Sequence, residues 1–277
     1  MSHSHSHSHA DNPAPAPKKA DDVVPILFVD AVAGVTAPML LGALIDLGVD
    51  EKAVQGELEK LKSGSPRISS RRESSDGIEK VKADLFATEG KVPFSEVVAM
   101  IGAAPLADGA KAKTLKALFP LAKGEASAFA VALHEVAVAM SAVLEIASVC
   151  IALDQIGIEH IVSGPVTVGG ALAPTTLAVL KDFPIRKIAD VECETSAAGA
   201  ALVASLAAPA IDPVVMTPRR IGYGAGSKDA VLRLVIADSA ERFLPPSLFP
   251  CEECGDDHDD EGHGHGHSHD HGHSHKH

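Results

Sequence analysis

Apolar positions along the chain change period several times, and each change marks an element. The first block, VVPILFVD (Val23–Asp30), is a short β-branched run that predicts a buried strand ending on a carboxylate. Small residues follow (AVAGVTA). PMLLGALIDLG then sets apolar side chains at helical spacing, with Pro38 in the first turn and Gly48 as the stop. DEKAVQGELEKLK predicts a second helix capped by Asp50. Residues 63–90 are charged and serine-rich and read as a loop, with a strand around Ile78–Phe86. FSEVVAMIG predicts a helix with Ser95 as its cap, and DGAKAKTLKALFPLA an amphipathic helix bent or ended at Pro120. The alanine-rich stretch from Glu125 to about Ile156 is apolar on every side and predicts one long, largely buried helix. Beyond it the rhythm shortens. HIVS, PVTVG and PIRKI read as strands, PTTLAVLKDF and SAAGAALVASLA as helices. VVMTPRRIGYGAG and AVLRLVIAD read as two last strands around a glycine-rich turn. Alternating strands and helices predict an α/β or mixed α+β fold, with a small sheet, one long alanine-rich helix and several shorter ones.

Composition adds limits. Aromatic residues make up 3% of the 277, so the core is built from Ala, Val, Leu and Ile. The expected organisation is a body over 23–249, either one α/β domain or two subdomains meeting near 157, between tails at 1–22 and 250–277. Net charge is −13, of which the segment from Cys251 onward supplies −7 through eight acids and one lysine. With no basic face, no Trp and a single Tyr, nucleic acid is not an expected partner. Nor is a membrane, because the longest apolar stretch is interrupted by His134, Glu135, Glu145 and Asp154. Four cysteines without a leader-like start point to a reducing cytoplasm, with Cys150 and Cys193 as small core residues.

Thirteen of the fifteen histidines lie in the tails. The first tail carries His3, His5, His7 and His9 and ends in the Pro-Ala stretch NPAPAPKK; its regular HSHSHSH leaves open whether the run is native or a tag. The second carries His258, His263, His265, His267, His269, His271, His273, His275 and His277 among eight carboxylates. Both tails hold too little apolar surface to offset the entropy of ordering a chain. Alternate imidazoles on an extended chain share one side, so two or three reach one ion, and the acidic field favours a divalent cation. Nickel, zinc and copper all suit imidazole. Cys251 and Cys254 form a CxxC at the neck of this tail, half of a tetrahedral site or a pair of plain linker thiols.

Four places in the body are worth weighing; one, ETSAAGAAL, is a helix start with Ser196 as its cap and Gly199 for close packing, and by itself is structural. Asp30 stands at a strand end before a helix, where open sheets place sites and where capping aspartates also stand. His134 and Glu135 lie in LHEVAVAM; on a buried helix that histidine needs either a core hydrogen bond or a ligand. Gly222, Gly224 and Gly226 in IGYGAGSKD either bring backbone N–H groups to an anion or make a tight turn between strands.

The order of these stretches resembles the N-terminal domain of the LarC family of nickel-insertion proteins. The matching segments are DAVAGVTAPMLLGALIDLGV, ALHEVAVAMSAVLEI with ALDQIGI, SGPVTVGG, LAPTTLAVLKDFPI, SAAGAALV and IGYGAG followed by LRL. They run from about Ile26 to about Ala237. Departures from the family pattern are Ala37-Pro38 for a Gly-Asp, Met140 for an Asp, Ala132 for a His, Ser196-Ala197-Ala198 for Thr-Pro-Thr, and a shortened link before Leu172. The family's histidine run is often internal rather than terminal. The resemblance implies a lyase-type nickel insertase. Its acceptor would be pyridinium-3,5-bisthiocarboxylic acid mononucleotide, which wraps the ion through two sulfurs and a carbon to give the nickel-pincer cofactor. Implied partners are the recipient nickel enzyme and a separately encoded C-terminal domain, which alone would bring nucleoside triphosphate. The alternative is a non-catalytic nickel store or metallochaperone on a degenerate body. A retained active site requires Asp30, His134 with Glu135, and Gly222–Gly226 to meet in one cleft.

Overall fold

The computed structural model describes residues 23–240, apart from Asp76, Thr88, 189–192, Asp212 and Lys228. In chain order the elements are β1 (Val24–Asp30), α1 (Ala37–Asp46), α2 (Glu51–Glu59), β2 (Arg67–Ser75), β3 (Ile78–Phe86), β4 (Lys91–Pro93), α3 (Phe94–Ala103), α4 (Asp108–Phe129), β5 (Ala137–Ala139), α5 (Met140–Ile156), β6 (His160–Ser163), β7 (Val166–Val168), α6 (Pro174–Val179), β8 (Ile185–Lys187), α7 (Ala197–Leu206), β9 (Ala208–Pro209), β10 (Met216–Ala225) and β11 (Val231–Ser239). The fold is mixed α/β. Seven strands form one sheet in the order β2-β3-β10-β11-β1-β6-β9. β1 is antiparallel to β11 and parallel to β6, so the sheet is mixed. No helix among the described residues is long and apolar enough to cross a membrane.

Strand alternation divides the sheet into two faces. Leu27, Val29, Leu232 and Leu234 join the main core, together with buried residues of α1, α4, α5 and α7. Ile26, Val162, Val235 and Ala237 form a smaller cluster on the other face, flanked by Phe28, Ala210, Val214 and Met216.

Helix α1 sets the geometry of the sheet's main face. A Cβ at Gly224 would stand 1.9 Å from the Met39 carbonyl oxygen, and one at Gly222 would stand 2.3 Å from that of Ala43. From the helix side, a Cβ at Gly42 would meet the Val81 oxygen at 2.3 Å. α1 therefore lies on β10 and β3 at backbone distance, closer than any side chain allows.

The structure corrects several sequence expectations. Residues 67–86 are a hairpin, not mainly loop: β2 pairs with β3 along its length. β2 is an edge strand in which Ile68 alone is buried, so its sequence lacks the apolar alternation of a half-buried strand. The cap of α3 is Pro93, not Ser95, and α4 continues through Pro120 at the loss of one helical hydrogen bond. The stretch from Glu125 to Ile156 is two helices. α4 ends at Ala130 in the left-handed conformation, with φ 53°. A 3-10 turn over Leu133–Glu135 follows, with β5 pairing to β4 before α5 begins. Val136 and Val138 are buried while Ala137 and Ala139 are not, a two-residue period hidden within an alanine-rich composition.

Gly224→Ala should lower stability by at least the ~1–3 kcal/mol typical of overpacking, because the obstructing atom is backbone. Gly56→Ala, where a Cβ meets nothing within 4 Å on exposed α2, should raise it by about 0.8–1 kcal/mol. Denaturant unfolding of the two variants checks both signs; equal stability of Gly224→Ala and the parent chain would contradict the close packing of α1.

Candidate functional site

The end of β1 opens into the loop 31–36. Gly34 N–H donates to the Ala31 carbonyl at 3.1 Å, and the same carbonyl accepts from Thr167 N–H at 3.2 Å, drawing β7 alongside. Thr36 ends the loop by capping α1, its hydroxyl accepting from Met39 N–H at 3.2 Å. A strap over 193–196 crosses this loop. Glu194 N–H donates to Ala33 O and Ser196 N–H to Val35 O, both at 3.1 Å. The Thr195 hydroxyl accepts from Val35 N–H at 3.3 Å and donates to Thr167 O at 2.9 Å. Ser196 then caps α7 by accepting from Gly199 N–H at 3.0 Å. The loop, the strap, the 169–173 segment and the β10–β11 turn bound a cleft of about 800 Å³.

Glu194 lines this cleft, half-buried, with both its main chain and its carboxylate held. A Cβ at Gly34, whose φ is +94°, would lie 2.4 Å from the Glu194 carbonyl oxygen. A Cβ at Gly226 would lie 2.8 Å from Glu194 Oε2. Gly34 thus lets the Glu194 backbone pass, while Gly226 packs against the Glu194 carboxylate, Ala230 and Met39 together. Oε2 accepts from Ser227 N–H at 2.6 Å, a charge-assisted bond. Asp229 lines the rim, its Oδ1 accepting from the Ser75 hydroxyl at 2.8 Å. Cys193 is half-exposed on the cleft, which corrects its reading as a core residue, and partial burial raises its thiol pKa. Cys150 is a core residue as expected; burial pushes its thiol up to about 12.

The candidates named from sequence do not meet in one cleft. Asp30 is held by an ion pair to Arg233, directly opposite it on β11. It lines a separate cavity of about 250 Å³ with Phe28, Arg186 and Val214. His134 and Glu135 stand exposed on the 3-10 turn, not on a buried helix, and Glu135 accepts from Ala132 N–H at 3.2 Å. Gly222 and Gly224 lie within β10 and are occluded by α1, so they pack a helix where an anion was considered. Gly226 alone reaches the cleft region, through Glu194. Among the described residues no group of three or more His, Cys, Asp or Glu is placed to hold a metal. The tail histidines, Cys251 and Cys254 lie outside the described residues. Sequence reasoning missed Cys193, Glu194, Thr195 and Asp229. The available signal was the polar cluster CETS just before the helix start, read only as a cap.

The nickel insertion protein family matches residues 27–265. A relative from Wolinella succinogenes, also named for nickel insertion, is 32% identical over 249 residues, covering 80% of this chain and 63% of its own. One from Geobacter sulfurreducens is 31% identical, covering 74% and 58%. The pyridinium-3,5-bisthiocarboxylic acid mononucleotide nickel insertion protein of Desulfitobacterium hafniense is 31% identical, covering 77% and 58%. The chain spans about three fifths of the length of these relatives. No solved structure matches it.

The cleft's thiol is open to test. With Cys251→Ser and Cys254→Ser in place, a thiol reagent should titrate one group slowly in the native chain, Cys193, and a second, Cys150, only on unfolding. Two native thiols reacting at the same rate would contradict the burial of Cys150.

Proposed function

The chain belongs to the nickel insertion protein family, and we propose that its body holds pyridinium-3,5-bisthiocarboxylic acid mononucleotide in the cleft under the 193–196 strap while Ni²⁺ enters it. The observation that carries this reading is the cleft itself. Its volume of about 800 Å³ falls in the range of small-molecule sites. Its lining is small and apolar along 169–173, with a few polar groups, Glu194, Thr195 and Asp229, held in fixed places. Glycine and alanine in the lining admit a flat ring closely. The carboxylates suit an approaching divalent ion.

In this reading the tail imidazoles gather Ni²⁺, with zinc and copper as competitors, and pass it to the acceptor in the cytoplasm. The finished cofactor goes on to a recipient nickel enzyme. A store of nickel would need the tails and would leave the cleft without a role.

Two measurements test the reading. The full chain should bind the mononucleotide and, given Ni²⁺ and nucleoside triphosphate, convert it to a species heavier by nickel; a chain that binds no mononucleotide overturns the assignment of the cleft. Calorimetric titration with Ni²⁺ should show several ions per chain near neutral pH and a fall in capacity through about pH 6.5, where imidazole protonates. Unchanged stoichiometry after replacing the thirteen tail histidines by serine would remove the tails from the scheme.

A further inference from the structure

We propose that Glu194 is the base that takes the ring proton displaced by nickel. The inference rests on the functional reading above and adds the group that does the chemistry. Thiocarboxylates at ring positions 3 and 5 flank the C4–H bond. An ion shared by both sulfurs therefore comes to rest against C4, and it bonds to that carbon only as the hydrogen leaves. The C4–H electron pair becomes the nickel–carbon bond and the proton goes to a carboxylate. Nickel remains divalent, so no oxidant or reductant is required.

Glu194 has the attributes this step needs. It lines the cleft, half-buried, on a strap fixed to the 31–36 loop by hydrogen bonds from its own and its neighbours' backbone. Oε2 is oriented by Ser227 N–H, and Oε1 has no hydrogen-bond partner among the described residues. Gly34 is without a Cβ where one would strike the main chain of this residue, and the Glu194 carboxylate packs against Gly226 beside Ala230 and Met39. Neither contact is needed to cap a helix or extend the sheet. Asp229, the other carboxylate of the cleft, is exposed and engaged by Ser75 at the hairpin tip. The Cys193 thiol has its pKa raised by partial burial, which makes it a poorer acceptor near neutral pH.

The test compares the parent full chain with Glu194→Gln and Glu194→Asp. It uses the mononucleotide bearing hydrogen or deuterium at ring C4. Glutamine keeps an oxygen to accept the Ser227 N–H bond, so a structural role would leave it close to the parent in unfolding temperature and in rate. The expected result is mononucleotide affinity unchanged and nickel insertion slowed by about 10²-fold or more, the scale of a lost general base. The parent rate should fall on deuteration. Glu194→Asp, with its carboxylate drawn back by one methylene, should lose less and keep the isotope effect; it also serves if the glutamine variant fails to fold. Insertion by Glu194→Gln at the parent rate, with binding intact, overturns the assignment of the base and leaves the functional reading standing. A parent chain that binds the mononucleotide and, supplied with Ni²⁺ and nucleoside triphosphate, inserts no nickel overturns both.

Discussion

Everything in the site follows from how closely α1 approaches the sheet. Gly42, Gly222 and Gly224 remove the side chains that would hold helix and strands apart, so backbone rests on backbone. Such a contact has almost no compliance. A side-chain interface adjusts through rotamers, whereas a carbonyl against a Cα can only move the whole element. With α1 fixed, the loop that feeds it is fixed at both ends, by β1 on one side and the Thr36 cap on the other. The strap is then placed by the loop, because a Cβ at Gly199 would meet Val35 O at 2.3 Å and one at Gly34 would meet Glu194 O at 2.4 Å. One packing constraint is handed along the chain of contacts from β3 to the cleft.

This explains which parts of the molecule were legible in the sequence. β1, α1, α7 and β11 were read correctly because each buries a face, and burial writes a period into the residues. β2 was not read because an edge strand has little to bury, and RISSRRESS shows only Ile68 as evidence of a sheet. The break between α4 and β5 was missed because alanine satisfies helix and strand alike, and only Val136 and Val138 kept the strand period. The family was legible through the order of its segments. The site was not, because Ala33, Glu194 and Ser227 are far apart in sequence and the glycines that join them have two meanings. Gly222 and Gly224 were weighed for anion binding, and their actual work is to admit a helix. A glycine in a motif signals that something comes close, without saying whether it is a ligand or the protein itself.

Under the proposed function, the histidine tails and the cleft would divide the work by the physics each can offer. Closely spaced neutral imidazoles are ligands for nickel, zinc and copper alike, which would suit collection. Insertion into one atom of a flat ring asks for the reverse, a small number of groups in fixed places. The body provides that in a region built almost wholly from backbone hydrogen bonds and small residues, 31–36 against 193–196. Asp30, His134 and Glu135, which the resemblance singled out, instead occupy an ion pair on the sheet and an exposed turn.

A proton acceptor has to stand within about 0.5 Å of its working position. A glutamate has three rotatable bonds, so a surface glutamate would lose that accuracy to its own entropy. Here the main chain of Glu194 is pinned by its N–H to Ala33 O and by the passage over Gly34, and one carboxylate oxygen is pinned by Ser227 N–H at 2.6 Å. With both ends held, the intervening torsions have little freedom left, and the second oxygen is placed by difference. The accuracy of a side chain is thus derived from backbone contacts that began with a helix lying on glycines, which is why the residues that position the carboxylate lie in segments whose text reads as packing.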